Sequence, residues 1–75
     1  MEYDEIIDHL VVRRYELALS QKAVARKINM SHESVSAWEL GRRNPTGDHL
    51  IAWARALGYS IDLIPITDSA NSASE

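Results

Sequence analysis

The stretch Val35-Ser36-Ala37-Trp38-Glu39-Leu40-Gly41-Arg42-Arg43-Asn44-Pro45 decides how this chain is read. Val35 and Trp38 stand three apart, the spacing of one helical face, so they form the buried stripe of a short helix. Ser31 is placed to cap its start, with Glu33 in the first turn, where the helix dipole favours an acid. Gly41 stops the helix as its C′ residue. Two arginines follow, and Pro45 restarts the chain. Just upstream, Ser20 to Ile28 reads as a second short helix. Ser20 is its N-cap, and Val24, Ala25 and Ile28 are its inner stripe. Ala25 is small enough to let the two helices approach closely. Only Asn29-Met30 separates them, and asparagine tolerates the left-handed conformation that so tight a turn needs.

Outward from this pair, Glu2–Leu17 has helical period. Ile6, Leu10, Arg14 and Leu17 share a face, with Ile7 and Val11 beside it. The acids in its first turns suit the helix dipole. Arg14 is the anomaly, a charge on an apolar stripe. Its long stem can snorkel to solvent, or its charge can pair with Glu39, which shares a helix with buried Val35 and Trp38. After Pro45, Thr46 caps a fourth helix with Asp48 in its first turn. Leu50, Ile51, Trp53, Ala54 and Leu57 are its core residues, and Gly58 ends it. Tyr59–Ile66 is β-branched and interrupted by Pro65, which favours a short edge strand. A fifth helix over Ser60–Ile64 is the competing reading. Residues 1–66 form one domain, and 67–75, rich in Ser, Ala and Asn, are expected to be a disordered tail.

Composition narrows the classes. With 75 residues the chain supports one small core, burying roughly 60% of the unfolded surface. It has no cysteine, so neither a disulfide framework nor a thiolate metal site is available. No apolar run approaches the ~20 residues of a membrane span, and the acidic start is not a signal peptide. A cytoplasmic location follows as the expectation. Net charge is −3, which at first speaks against nucleic acid. Yet Glu2, Asp4, Glu5 and Asp8 crowd the start, while Arg13, Arg14, Lys22, Arg26, Lys27, Arg42 and Arg43 fill the middle. Local sign steers a protein toward phosphates more than its total does. A mixed-charge surface of no special meaning would look the same by charge alone.

No catalytic or metal constellation stands out. His9, His32 and His49 fall on three different helices without ligand spacing. There is no phosphate-cradling glycine loop, nucleophile motif or marked carboxylate pair. The chain is therefore expected not to be an enzyme and to need no cofactor or metal.

Two short helices on a tight turn make a helix-turn-helix unit, whose second helix can enter the DNA major groove. The chain resembles the phage repressor/Cro-type helix-turn-helix family, also called the XRE family. The similarity runs from about Ile6 to Ile64. It is carried by Ser20-Gln21, Ala25, Ile28, Ser31, Val35-Ser36, Trp38-Glu39, Gly41, Asn44-Pro45 and the run from Ala54 to Leu57-Gly58. The resemblance implies a mainly α, four- to five-helix bundle that binds operator DNA, usually as a homodimer. It implies base-facing positions at His32, Glu33, Ser36 and Ala37. It implies phosphate contacts from Gln21, Ser31, Arg42, Arg43 and Asn44, with Gln21 also bracing the recognition helix. It matches Arg14 and Glu39 to a buried ion pair found in some members. Three departures stand beside it. Asn29 replaces the usual turn glycine, Gly47 replaces a common apolar residue and so loosens the start of helix 4, and the acidic N-terminus is no DNA-wrapping arm.

Each site residue has a plainer role to set against the functional one. His32 can donate to a guanine edge or a phosphate, or simply be an exposed polar residue. Glu33 can accept from a cytosine amino group, or only offset the helix dipole. Ala37 can touch a thymine methyl, or only be small. Trp38 and Trp53 fall on apolar stripes and read as core rather than as platforms for bases.

Tyr59–Ile66 is too apolar for a free tail, and a lone strand has no ladder partner. Two such strands pairing across a twofold axis would solve both problems. The expected dimer interface is then Trp53, Leu57, Ile61, Leu63, Ile64 and Ile66. Too few residues follow helix 4 for an effector domain to be expected. The alternative reading is an antitoxin that holds a toxin protein and represses its own operon.

Overall fold

The structure, a computed structural model, describes residues 1–66. The stretch 67–75, read as a disordered tail, lies outside them. Four helices follow in order: α1 (Tyr3–Glu16), α2 (Gln21–Lys27), α3 (His32–Glu39) and α4 (Gly47–Ala56). Their caps are those the sequence names. Ser20 Oγ accepts from Ala23 N–H, Ser31 Oγ from Ser34 N–H and Thr46 Oγ1 from His49 N–H. At α1 the backbone N–H of Glu2 donates to Glu5 Oε1 at 2.7 Å.

All four helices end in the same way. The chain turns left-handed at the C′ residue, and two backbone bonds close the last turn. Tyr59 N–H reaches Ala54 O and Gly58 N–H reaches Arg55 O after α4; Arg42 reaches Ala37 and Gly41 reaches Trp38 after α3. Met30 reaches Ala25 and Asn29 reaches Arg26 after α2; Leu19 reaches Arg14 and Ala18 reaches Tyr15 after α1. The left-handed residues are Gly58, Gly41, Asn29 (φ 58) and Ala18 (φ 57). Asn29 is in the conformation its side chain suggested. Ala18 gives no such signal, because its Cβ crowds the following carbonyl in that region.

One core joins the helices: Ile7 and Leu10 from α1, Val24 and Ala25 from α2, Val35 and Trp38 from α3, and Trp53, Ala54 and Leu57 at α4. Ala25 is buried where α2 packs on α3, as its size requires. The indole of Trp53 lies 5.3 Å from that of Trp38, which also meets His49 at 5.8 Å. The end of α4 is tied to α1, where Arg13 Nε donates to Leu57 O at 3.0 Å and its guanidinium lies 5.9 Å from the Tyr59 ring.

Several expectations need correction. Leu17 and Ile51 are exposed: Leu17 is the C-cap of α1, beyond the buried turns, and Ile51 points away from the face that carries Trp53 and Ala54. Ser60–Ile64 is not a fifth helix, because the chain leaves α4 through Gly58 and no helical turn follows among the described residues. Among the described residues no strand forms in this single chain. Gly47 meets nothing within 4 Å at the position a Cβ would take, as expected of a loosely packed helix start.

Ala18 gives a stability prediction. Ala18→Gly removes a left-handed strain of about 1–2 kcal/mol and returns part of it as unfolded-chain entropy, so a net gain of about 0.5–1 kcal/mol is expected. Gly58→Ala is expected to lose about 1 kcal/mol by the reverse argument. Urea unfolding midpoints with an unchanged slope would show both.

Candidate nucleic-acid interface

α3 divides cleanly into two faces. Ser34, Val35 and Trp38 are buried. His32, Ser36 and Ala37 are half-buried and Glu33 is exposed. At about 100° per residue, positions 32, 33, 36 and 37 fall within a sector of roughly 140°, opposite the buried face. The structure therefore gathers all four base-facing candidates on one outward surface.

What holds this surface is an ion pair at the last residue of α3. Glu39 is an acid at a helix C-terminus, where the dipole disfavours it. Its compensation is Arg14, whose Nε and Nη2 reach Glu39 Oε2 and Oε1 at 2.6 and 2.8 Å. Their side chains are only 9% and 6% exposed. The third guanidinium nitrogen, Nη1, donates to Leu19 O in the α1–α2 turn at 3.0 Å. Gln21 Nε2 donates to Glu39 Oε1 at 2.9 Å. One carboxylate thus joins α1, the turn, the start of α2 and the end of α3. The snorkelling alternative for Arg14 is not what forms.

The hydrogen bond to Glu39 raises the Arg14 pKa, against the opposing effect of burial. A cation whose folded pKa is raised contributes stability that is fully present below its unfolded value and lost only above it. Arg14 therefore supports the fold across the whole ordinary pH range.

Past Gly41 the loop turns back along α3. Both Arg42 N–H and Arg43 N–H point at Ala37 O, at 2.9 and 3.4 Å. Arg42, Arg43 and Asn44 are exposed. Arg43 Nη2 donates to Ser34 Oγ at 3.1 Å, and Ser31 Oγ–H donates to the same oxygen at 3.0 Å. Lys22, Arg26 and Lys27 lie exposed on α2. On the other side, Asp4 and Asp8 line a groove between the start of α1 and Trp38, Leu40, Gly41 and Asn44. The acidic start of the chain thus borders the basic loop.

Two groups of sequence-derived site residues are engaged within the protomer. Ser31 spends its hydroxyl inside α3, as cap and as donor to Ser34, which leaves that hydroxyl no spare proton for a phosphate. Trp53 and Leu57 are wholly buried in the protomer's own core and have no surface to give a second chain. Ile61, Leu63, Ile64 and Ile66 remain 42, 97, 82 and 65% exposed. Two contributors went unread in the sequence, Ser34 and Arg13. Ser34 sits three residues after Ser31 and four before Trp38, a spacing that marks it as inward-facing. Nothing local marks Arg13 as the residue that reaches α4.

The helix-turn-helix family model matches residues 12–64. The chain belongs to the helix-turn-helix family. It is 42% identical over 48 residues to the HTH-type transcriptional regulator DicA of Escherichia coli (strain K12), covering 64% of this chain and 36% of that protein. It is 30% identical over 57 residues to Repressor protein C2 of Salmonella phage P22, covering 76% of this chain and 26% of the other. A protein of Sinorhizobium fredii (strain NBRC 101917 / NGR234), "Uncharacterized HTH-type transcriptional regulator y4dJ", is 41% identical over 56 residues, 73% of either chain. The chain spans about a third of the length of DicA and a quarter of that of C2. No solved structure matches it. In this helix-turn-helix protein α2 and α3 are the two motif helices, and the Glu39 pair fixes the second of them.

The pair gives the next prediction. Glu39→Gln and Arg14→Met are each expected to destabilise by about 3–5 kcal/mol, because each strands a buried charge. The double variant is expected to lose less than the sum. A denaturant-based double-mutant cycle measures the coupling, and small additive losses would mean the pair contributes nothing specific.

Proposed function

We propose that this protein is a sequence-specific DNA-binding transcriptional regulator of the repressor type. In this reading α3 and its caps, residues 31–40, enter the major groove of a palindromic operator. The observation that carries it is the outward face of α3, held at one end by Glu39 and flanked by Arg42 and Arg43. His32, Glu33, Ser36 and Ala37 read base edges. Arg42, Arg43 and Asn44 grip phosphates, and Gln21 uses its second amide hydrogen for the same purpose. Ser31 takes part by capping α3 with its hydroxyl oxygen rather than by donating to a phosphate. The relatives named as a transcriptional regulator and as a repressor support the class. Such a regulator works in the cytoplasm, where its DNA is.

DNA binding is expected to weaken with salt, log affinity falling by about 0.9 per neutralised phosphate against log salt. Arg42→Ala and Arg43→Ala are expected to weaken all sequences alike, whereas changes at His32 or Ala37 shift sequence preference. Fluorescence anisotropy with duplexes from the neighbouring operator region measures both. Absence of salt-dependent binding at low ionic strength would refute the reading.

The protein acts as a homodimer in this proposal, joined by Tyr59–Ile66. Support comes from the exposure of Leu63, Ile64 and Ile66 on a segment whose backbone makes no ladder among the described residues. Two copies pairing edge to edge would cover these side chains. The twofold would set the recognition helices about 34–36 Å apart, one turn of DNA. Truncation after Gly58 is expected to give a monomer, or an unstable domain, with weak operator binding. Sedimentation of a dimer with normal binding would exclude this segment. The same exposed segment favours a second reading, an antitoxin whose tail holds a toxin. Co-purification of a tight partner that the truncation releases would identify that case.

A further inference from the structure

Ser34 is a neutral residue, 9% exposed, at the third position of α3, with no place among the base or phosphate contacts. Its hydroxyl oxygen is nevertheless the acceptor for the Arg43 guanidinium at 3.1 Å. The Ser31 hydroxyl, itself fixed by capping Ser34 N–H, donates to that same oxygen. The bonds from Arg42 and Arg43 N–H to Ala37 O bring the loop back over the last turn of α3. The Arg43 side chain then runs on toward the first turn, which carries His32 and Glu33.

We propose that Ser34 is a positioning residue for DNA binding, one that holds the Arg43 guanidinium against the first turn of the recognition helix, facing the phosphate backbone. The inference rests on the DNA-binding reading above. Its chemistry is distinct from that of the other pinned arginine. Arg14 meets a carboxylate, and its charge is spent inside the protein. Arg43 meets a hydroxyl, which orders the guanidinium without neutralising it. A guanidinium has five N–H donors, and one bond to Ser34 leaves the rest of the fork for a phosphate. An acidic residue at position 34 would hold Arg43 as firmly but compete with the phosphate for its charge. Without any acceptor there, an exposed arginine on a loop must be ordered anew at each binding event, which weakens the contact.

The test uses the full chain and a mixed-sequence DNA duplex, with anisotropy read over a range of salt. Ser34→Ala is expected to weaken binding several-fold and to flatten the salt slope by up to about 0.9, the value of one phosphate contact. Its urea midpoint is expected to stay close to wild type, because Arg43 can turn to water. Ser34→Thr, which keeps the hydroxyl, is expected to retain the wild-type slope. On an Arg43→Ala background, Ser34→Ala is expected to change nothing further. Equal losses from Ser34→Ala with and without Arg43 would overturn the proposal, since the effect would then pass through the fold. Wild-type affinity and slope in Ser34→Ala would overturn it alone. A wild-type chain that binds no duplex at low salt would overturn the DNA-binding reading along with it.

Discussion

The Glu39 carboxylate is the constraint on which the arrangement of this molecule depends. It lies at the end of α3 where the helix dipole opposes it, and it is buried, so it must be matched by hydrogen-bonded positive charge. Arg14 supplies that match with two bonds and uses its third nitrogen on the Leu19 carbonyl. Gln21 adds another bond from the first residue of α2. Apolar contacts among Val24, Val35, Trp38 and Trp53 resist separation of the helices but are non-directional. The carboxylate adds direction. α3 cannot rotate about its axis or slide along α1 without breaking a bidentate pair in a dry site. The outward face carrying His32, Glu33, Ser36 and Ala37 therefore has one orientation.

The connections between helices work to the same end. Each helix closes with a left-handed residue and a pair of backbone bonds, so each reversal takes few residues and satisfies the carbonyls of its last turn. Short connections leave little freedom in how one helix follows the next. The α2–α3 turn puts Ala25 against α3, and the α3–α4 loop folds Arg42 and Arg43 back along it. Arg13 closes the far side by bonding the Leu57 carbonyl, joining the first helix to the last.

Charge is divided between structure and surface. Arg13 and Arg14, neighbours in the chain, both serve the fold: one bonds the end of α4 from the surface, the other neutralises buried Glu39. Arg42 and Arg43, also neighbours, stay exposed, with Arg43 ordered only by a neutral hydroxyl. The net charge of −3 conceals this division, because the acids on the first turns of α1 cancel a middle that stays locally positive, and the acids after that middle leave the total negative. Asp4 and Asp8 beside Asn44 mark where that basic surface ends.

Much of this was determined by the sequence itself, where the signal is local. Ser20, Ser31 and Thr46 set helix starts, and Asn29, Gly41 and Gly58 set helix ends, because capping depends on groups within a few residues of each other. The Arg14–Glu39 pair was legible because a charge stood on each of two apolar stripes. Family resemblance alone indicated that Gln21 braces the recognition helix. The tertiary structure decided what depends on residues far apart in the chain. Ala18 is left-handed because the α1–α2 reversal requires it, against its own preference. Trp53 and Leu57 were read both as core and as part of an interface, and the packed helices bury them wholly in the protomer's own core. Ile51 looked like core by period, but it lies off the α4 face that carries Trp53 and Ala54 and stays exposed. Ser34 and Arg43, nine residues apart, and Arg13 and Leu57, forty-four apart, meet only once the helices are packed. Periodicity can show which face of a helix is buried; which atom of another helix lies across from it is settled by packing.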